Sequence, residues 1–231
     1  MFKNPNEEHR YMYKKEVLNN ESLAMPTTND RISIVPANEA SWEDLEAVLG
    51  PARCHGAKCY CQRFKIPNSQ WKLTDDDERA FQLRIQTDCE NPESNFTSGL
   101  VAYLDHDPVG WCAVEPRIAF KKLMNSPVVW PGRDENKNDT SVWSITCFIV
   151  RKGFRRRGIT YALTRAAVEF ARKKGALAIE GYPMITVPEK DIPWGELHVG
   201  AYNAFIAAGF REVTRPTKRR VVMRIELQSE G

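Results

Sequence analysis

The sequence has little net charge, and this excludes one broad class of partner. Its 33 Lys and Arg residues nearly balance 30 Asp and Glu residues, which gives a formal net charge of +3. Proteins that bind nucleic acid concentrate basic residues much more strongly, so we expect no nucleic-acid partner. The 231 residues are 42% hydrophobic and 27% charged, values of an ordinary globular chain that exclude collagen-like or wholly disordered sequences.

Long hydrophobic runs are also missing. The longest, from Ile145 to Val150, is far too short to span a bilayer, and the polar N-terminal segment lacks the apolar stretch of a signal peptide. We therefore expect a cytoplasmic protein without a membrane partner. Thiols stay reduced in that compartment, so the six cysteines are expected to be buried, reactive or metal-binding rather than a disulfide framework.

The order of the predicted elements indicates a mixed α/β sheet with helices on its faces. Residues 1–30 are polar and interrupted by Pro and Asn, so we expect an N-terminal appendage followed by one domain over 31–228. An alternative is that Met25 is the natural start. Periodicity and capping signals predict strands at 32–35, 100–104, 109–114, 141–150, 177–182, 210–214 and 219–227, and helices after Ser41, at 74–88, at 158–174 and at about 198–208.

The most informative segment is a strand, a basic loop and a helix. A continuous apolar strand ends at Val150, and the basic loop that follows ends at Gly158. The helix after it carries an uninterrupted apolar stripe. Backbone N–H groups at a helix N-terminus, with the helix dipole and nearby arginines, suit a phosphate or pyrophosphate. The alternative is a solvated basic turn, and the residues alone leave both interpretations open.

This loop and the start of its helix resemble the acetyl-CoA motif of the GNAT superfamily of N-acetyltransferases, Arg/Gln-x-x-Gly-x-Gly/Ala, with Thr160 as a mild departure at the last position. The pair Gly209-Phe210 is similar to the superfamily's C-terminal junction between a helix and a strand. The resemblance in element order covers about residues 31–227. It implies a GNAT-like fold with a mainly antiparallel central sheet flanked by helices. It also implies that acetyl-CoA binds along Phe148, Ile149, Val150, Arg155, Arg156, Arg157, Gly158, Ile159 and Thr160.

The resemblance implies that an amine attacks the thioester directly in a ternary complex, with the Phe148 N–H polarising the carbonyl. Two side chains that usually move protons in the superfamily are replaced, by Phe205 and by Ser144. The candidates for proton transfer are therefore Glu180, Glu115, His198 and Tyr202. Structural roles stay open for them, such as a solvent-facing carboxylate, a histidine that bonds the backbone at a helix start, or a half-buried tyrosine.

A loop from Cys54 to Cys61 holds three thiols and one imidazole within eight residues. Zinc uses such ligands, but this spacing is not that of a usual zinc knuckle, so we expect no metal and keep metal sensing as an alternative. In GNAT folds this region shapes the acceptor pocket. The resemblance thus implies a pocket that includes Tyr60, Cys61 and Phe64, bordered by Trp111, Trp143 and Trp194. Core packing is the alternative for the tryptophans.

The connection over 185–197 is long, as is typical of a lid or substrate loop, and no acidic run lines the predicted elements. We therefore expect an acetyl-CoA-dependent N-acetyltransferase that acts on a small-molecule amine rather than on a protein tail. The alternative is an acyl-CoA-binding regulatory or sensor module without turnover, which the replacements at Phe205 and Ser144 keep open. A second copy of the chain, in a homodimer, is a further open partner.

Overall fold

The computed structural model describes residues 32–53, 56–186, 192 and 194–227. The predicted appendage over 1–30 lies outside the described residues. The strands are β1 Ile32–Pro36, β2 Gly99–Leu104, β3 Asp107–Pro116, β4 Val142–Val150, β5 Ala178–Gly181, β6 Arg211–Thr214 and β7 Val222–Glu226. The helices are α1 Trp42–Leu49, α2 Asn68–Trp71, α3 Asp76–Thr87, α4 Lys121–Met124, α5 Ile159–Lys173, α6 Trp194–Leu197 and α7 Tyr202–Ala207, with 3-10 turns at Ala37–Glu39, Gln62–Phe64, Arg117–Ala119 and Lys152–Phe154.

The seven strands form one sheet in the order β1-β2-β3-β4-β5-β7-β6. Only β4 and β5 run parallel, and every other neighbouring pair is antiparallel, which confirms the predicted mixed and mainly antiparallel fold. The β4–β5 pairing extends only from Val142 to Ile145 on β4. The rest of β4, up to Val150, has no β5 partner, so the two strands part beside the predicted cofactor-binding residues.

Two apolar layers cover the faces of the sheet. One layer packs the side chains of α5, such as Leu163, against Ile145 and Phe148. The other packs α1 and the loop after it against Cys147 and Ile149. Residues 145 and 147 would share a face in a regular strand, but a register shift opposite Ala113/Val114 adds one residue to β4. After this shift, successive residues at the end of β4 face the two layers alternately.

The ends of several helices differ from the prediction for local reasons. Ser41 Oγ accepts the Asp44 N–H at 3.1 Å and begins α1, as predicted. Asp75, and not Thr74, caps α3, because its Oδ1 accepts the Glu78 N–H at 2.8 Å. The predicted helix at 198–208 is interrupted by Gly200, whose φ of +93° separates α6 from α7. No helix within the described ranges is both long and apolar enough to cross a membrane.

Replacing Gly181 with alanine is expected to lower the free energy of unfolding by about 1–3 kcal/mol, the usual cost of overpacking a core. A Cβ at this position would overlap the ring of Phe205, which is fully buried. That ring has no space to retreat, because it already contacts the Phe148 and Phe210 rings at centroid distances of 5.9 and 5.0 Å. Urea unfolding measures the loss. Gly153→Ala, where an added Cβ meets nothing within 4 Å, is the control, and equal stability of the two variants would contradict this packing.

Candidate active site

A cleft of about 360 Å³ lies between the end of β4, the start of α5 and the chain that leads into α7. Its walls combine apolar side chains with the basic loop and the first turn of α5. Seven of the nine predicted cofactor-binding residues line it, and the remaining wall comes from residues that the motif does not include. The lining residues are Phe148, Val150, Phe154, Arg155, Arg156, Gly158, Ile159, Thr160, Tyr161, Leu197, Gly200, Ala201 and Ala204.

The backbone of the basic loop is shaped to leave the start of α5 open. Arg156 and Gly158 have φ angles of +65° and +78°, and an added Cβ at Gly158 would meet nothing within 4 Å. No described side chain caps the helix here, so its first-turn N–H groups stay available to a ligand. The Arg155 and Arg156 side chains are exposed beside them. This donor set fits an anionic group such as a pyrophosphate.

Two predicted cofactor-binding residues do not line the cleft. Ile149 packs in the α1-side layer, because alternate residues at the end of β4 face opposite sides of the sheet. The guanidinium of Arg157 lies 5.7 Å from the centre of the Phe154 ring. Phe154 itself is a lining residue that sequence reasoning missed, as are Gly200 and Ala201, because no local motif marks them.

The Phe148 N–H is already engaged. It donates to the His198 carbonyl at 2.6 Å, across the gap where β4 has parted from β5. The resemblance implied that this N–H polarises a thioester carbonyl. In this structure that role requires the bond to His198 to open first.

The His198 ring is held in a defined orientation. Its Nδ1 lies 2.8 Å from the Gly195 carbonyl, and since a carbonyl only accepts, Nδ1 carries the proton. In the neutral ring the lone pair is then on Nε2. The ring also lies 6.0 Å, centroid to centroid, from Phe64. His198 itself does not line the cleft, although its neighbour Leu197 does, and its ring lies against Phe64, a predicted acceptor-pocket residue.

Glu180 lies in a buried ion-pair cluster instead of presenting a free carboxylate. Its Oε1 accepts from Arg117 at 3.1 Å and from Arg224 at 3.0 Å, and it also pairs with Arg133. Its Oε2 accepts the Tyr182 hydroxyl at 3.1 Å. Three guanidinium groups and one hydroxyl hold this carboxylate in the interior, and Glu180 does not line the cleft. This geometry favours a structural role, while the part of Glu180 in proton transfer stays a prediction.

Tyr182 links this cluster to Ser144, the residue at the position of the superfamily's usual Glu. The two hydroxyl oxygens are 2.8 Å apart in the buried interior. Burial raises the pKa of Tyr182 well above its ordinary value, so its hydroxyl stays protonated and donates to Glu180. No signal in the sequence pointed to Tyr182, since its partners depend on the pairing of β4 with β5.

Glu115 and Tyr202 also lie away from the cofactor cleft. Glu115 pairs with Lys65 and Ser98 beside a separate polar cavity of about 410 Å³, and burial raises the pKa of Glu115. Tyr202 packs against the α5-side layer, while its neighbours Ala201 and Ala204 line the cleft. Neither side chain lines the cleft, and their part in proton transfer stays a prediction.

Most of the predicted acceptor-pocket residues belong to the core. Tyr60, Cys61 and Trp111 are buried in the α1-side layer, where the Tyr60 hydroxyl donates to Glu46 at 2.9 Å. Trp143 faces the opposite, α5-side layer and meets Phe170 edge-on at 5.7 Å. These positions correct the expectation for the four residues, because their side chains fill layers of the fold. The side chain of Trp194 lies outside the described residues.

The cysteine loop lies only partly within the described chain. Cys54 and His55 are outside the described residues, so the predicted cluster as a whole is not tested. The side chains of Cys59, Cys61, Cys112 and Cys147 are buried, and that of Cys89 is half-buried. Within the part of the chain that the structure describes, no group of three or more His, Cys, Asp or Glu is arranged to hold a metal ion.

Comparison with known proteins gives one family and several structures of similar fold. Residues 62–182 match the model of the acetyltransferase (GNAT) family, and no curated protein matches. A GCN5-related N-acetyltransferase from Kribbella flavida is 17% identical over 85% of this chain and 98% of its own, with a TM-score of 0.46. The PaiA N-acetyltransferase from Thermoplasma acidophilum, in complex with coenzyme A, is 14% identical over 85% and 99%, with a TM-score of 0.46. YncA from Salmonella typhimurium, with its cofactor acetyl-CoA, is 12% identical over 86% and 95%, with a TM-score of 0.47.

Proposed function

We propose that this chain, which belongs to the acetyltransferase (GNAT) family, transfers the acetyl group of acetyl-CoA to the amine of a small molecule in the cytoplasm. The observation that supports the proposal most is the cleft beside β4, which opens onto the uncapped first turn of α5. Acetyl-CoA supplies the acetyl group in activated form, as a thioester. We assign this activity to a single domain over 31–228.

The basic loop has the donors that a pyrophosphate needs. The first-turn N–H groups of α5 carry the positive end of the helix dipole, and Gly158 leaves room for an anion to approach them. Arg156 adds an exposed positive charge from the loop, at a residue that lines the cleft. We therefore assign the phosphate-binding role to the first turn of α5 and to Arg156.

His198 has two roles in the proposal. Its Nε2 accepts a proton from the attacking amine, since the bond from Nδ1 to Gly195 leaves the lone pair on Nε2. Its carbonyl holds the Phe148 N–H until the cleft is filled, and releases it to polarise the acyl carbonyl. Gly200 follows this segment with a φ of +93°, a left-handed conformation that favours glycine.

Arg156→Glu is expected to weaken the binding of acetyl-CoA by about 10–100-fold, the loss that follows when a charge-assisted contact of about 1.5–3 kcal/mol is removed. Calorimetric titration of acetyl-CoA measures it, with Arg165→Glu as the control, since Arg165 is exposed on α5 and does not line the cleft. Release of CoA thiol in the presence of amines then separates an enzyme from an acyl-CoA-binding module. No binding to the wild-type protein at millimolar acetyl-CoA would contradict the proposed function.

A further inference from the structure

A second opening lies on the other side of the basic loop from the cofactor cleft. Its volume is about 660 Å³, and it is bounded by the end of α1, the end of β4 and the β4–α5 loop. Val150, Phe154 and Arg155 line both openings. The two are therefore contiguous along one loop, and the second is the opening on the side of α1.

The second opening is lined by positively charged side chains and by no negatively charged ones among the described residues. Four cationic side chains line it, and no acidic residue is among the described residues of its wall. None of the four makes an ion pair with an acidic side chain in the described part of the chain. Gathering like charges at one site is unfavourable unless a ligand of opposite charge binds there. The four are Arg53, Arg151, Lys152 and Arg155.

Two of these guanidinium groups are held by hydrogen bonds to backbone carbonyls and keep further N–H donors for a ligand. Arg53 donates one N–H to the Gly50 carbonyl at 2.8 Å, and Arg151 donates one to the Pro108 carbonyl at 2.8 Å. The Arg151 guanidinium also lies 5.2 Å from the centre of the Phe154 ring. An arginine carries five N–H donors, so each group is positioned by these contacts while its other donors can bind an anion.

The rest of the wall is apolar, and this favours a small molecule over a free inorganic ion. Val48 and Ile149 contribute side chains to the floor of the opening. Ile149 directly follows Phe148, whose N–H the proposed reaction uses, on β4. A ligand with an apolar body and one anionic group would place that group against the arginines and its amine near β4.

We propose that this opening is the acceptor subsite and that it selects an amine that also carries a carboxylate or a phosphate. The inference rests on the proposed function and names the substrate class of that same site. The cleft already provides the α5 N-terminus and Arg156 for the phosphates of the cofactor, so the α1-side cations are left for the acceptor.

The test compares matched amines that differ only in the anionic group. Phenylalanine is paired with phenylalaninamide, and phosphoethanolamine with ethanolamine, so the two pairs distinguish a carboxylate from a phosphate. Release of CoA thiol should give at least one anionic amine a tenfold higher kcat/KM than its neutral partner. Equal values in both pairs would overturn the inference.

Arg53→Glu tests whether the preference for an anionic amine arises in the α1-side opening, because Arg53 lines that opening and does not line the cofactor cleft. It should abolish the preference for the anionic amine and leave acetyl-CoA affinity within twofold, and Arg165→Glu should change neither. Parallel loss of acetyl-CoA binding in Arg53→Glu would instead assign the opening to the cofactor and overturn the inference.

If no amine is turned over, the proposed function fails separately. The four probes are then titrated into the CoA-saturated protein, where anionic binding that Arg53→Glu abolishes supports the subsite, and no binding contradicts it.

Discussion

His198→Ala is expected to lower kcat for acetyl transfer by about 10²–10⁴-fold, the usual contribution of a positioned general base. The expectation rests on the bond from Nδ1 to the Gly195 carbonyl at 2.8 Å, which fixes the tautomer and leaves the lone pair on Nε2. Phe64, 6.0 Å away between ring centroids, limits rotation of the ring. Acetyl-CoA affinity should stay nearly unchanged, because the main-chain carbonyl of residue 198 is retained.

Steady-state thiol release at saturating acetyl-CoA measures the loss, and the pH–rate profile separates a base from a structural side chain. The acid limb of the wild-type profile should disappear in His198→Ala if the imidazole accepts the proton. His106→Ala is the control, since His106 is exposed in the turn between β2 and β3. An unchanged kcat, or a loss that accompanies a lower unfolding midpoint, would contradict the assignment.

The sequence predicted the elements beside the cleft well, because their signals are local. The strand, the loop and the helix from 145 to 174 are consecutive, and the left-handed turn at Gly158 lies at the predicted helix start. The remaining wall comes from Leu197, Gly200 and Ala201, which reach the cleft only through the parting of β4 from β5. A pattern confined to neighbouring residues carries no information about that parting.

The acceptor side could not be predicted, since it depends on register and on distant partners. The register shift opposite Ala113/Val114 decides which residues of β4 face each layer, and Trp143 consequently packs on the α5 side. Glu180 was an isolated charge in an apolar strand. Its partners Arg117 and Arg224 are 63 and 44 residues away in the chain, so the sequence alone favoured a functional role and left a structural one open.

Glu180→Ala is expected to lower the free energy of unfolding by about 3–5 kcal/mol, the cost of removing one partner from a buried ion pair. The Glu180 and Arg117 side chains are both fully buried, and Arg133 is nearly so. Without the carboxylate, these guanidinium groups lose their central acceptor in a place that water does not reach. Glu135 pairs with Arg133 at 2.6 Å and with Arg224 at 2.8 Å, but it compensates only in part, because its pair with the fully buried Arg117 is longer, at 3.3 Å, and Glu135 is about one-third exposed.

The cluster also ties the long β3–β4 connection to the sheet. Arg117 and Arg133 belong to that connection and lie 5.0 and 4.8 Å from the centre of the Trp130 ring, while Glu180 belongs to β5. Removing the carboxylate should therefore loosen residues 117–141 first. Hydrogen exchange across this segment should rise before global unfolding, since it would lose its main polar contacts with β5.

Urea unfolding of Glu180→Ala beside Glu169→Ala distinguishes the structural role from a catalytic one. Glu169 is 61% exposed on α5 and pairs with Arg172, so its loss should cost no more than about 1 kcal/mol. Where Glu180→Ala remains folded, it should bind acetyl-CoA and turn it over at a rate close to the wild-type protein, because Glu180 is fully buried and does not line the cleft. Wild-type stability together with abolished turnover would make Glu180 the proton acceptor and remove that role from His198.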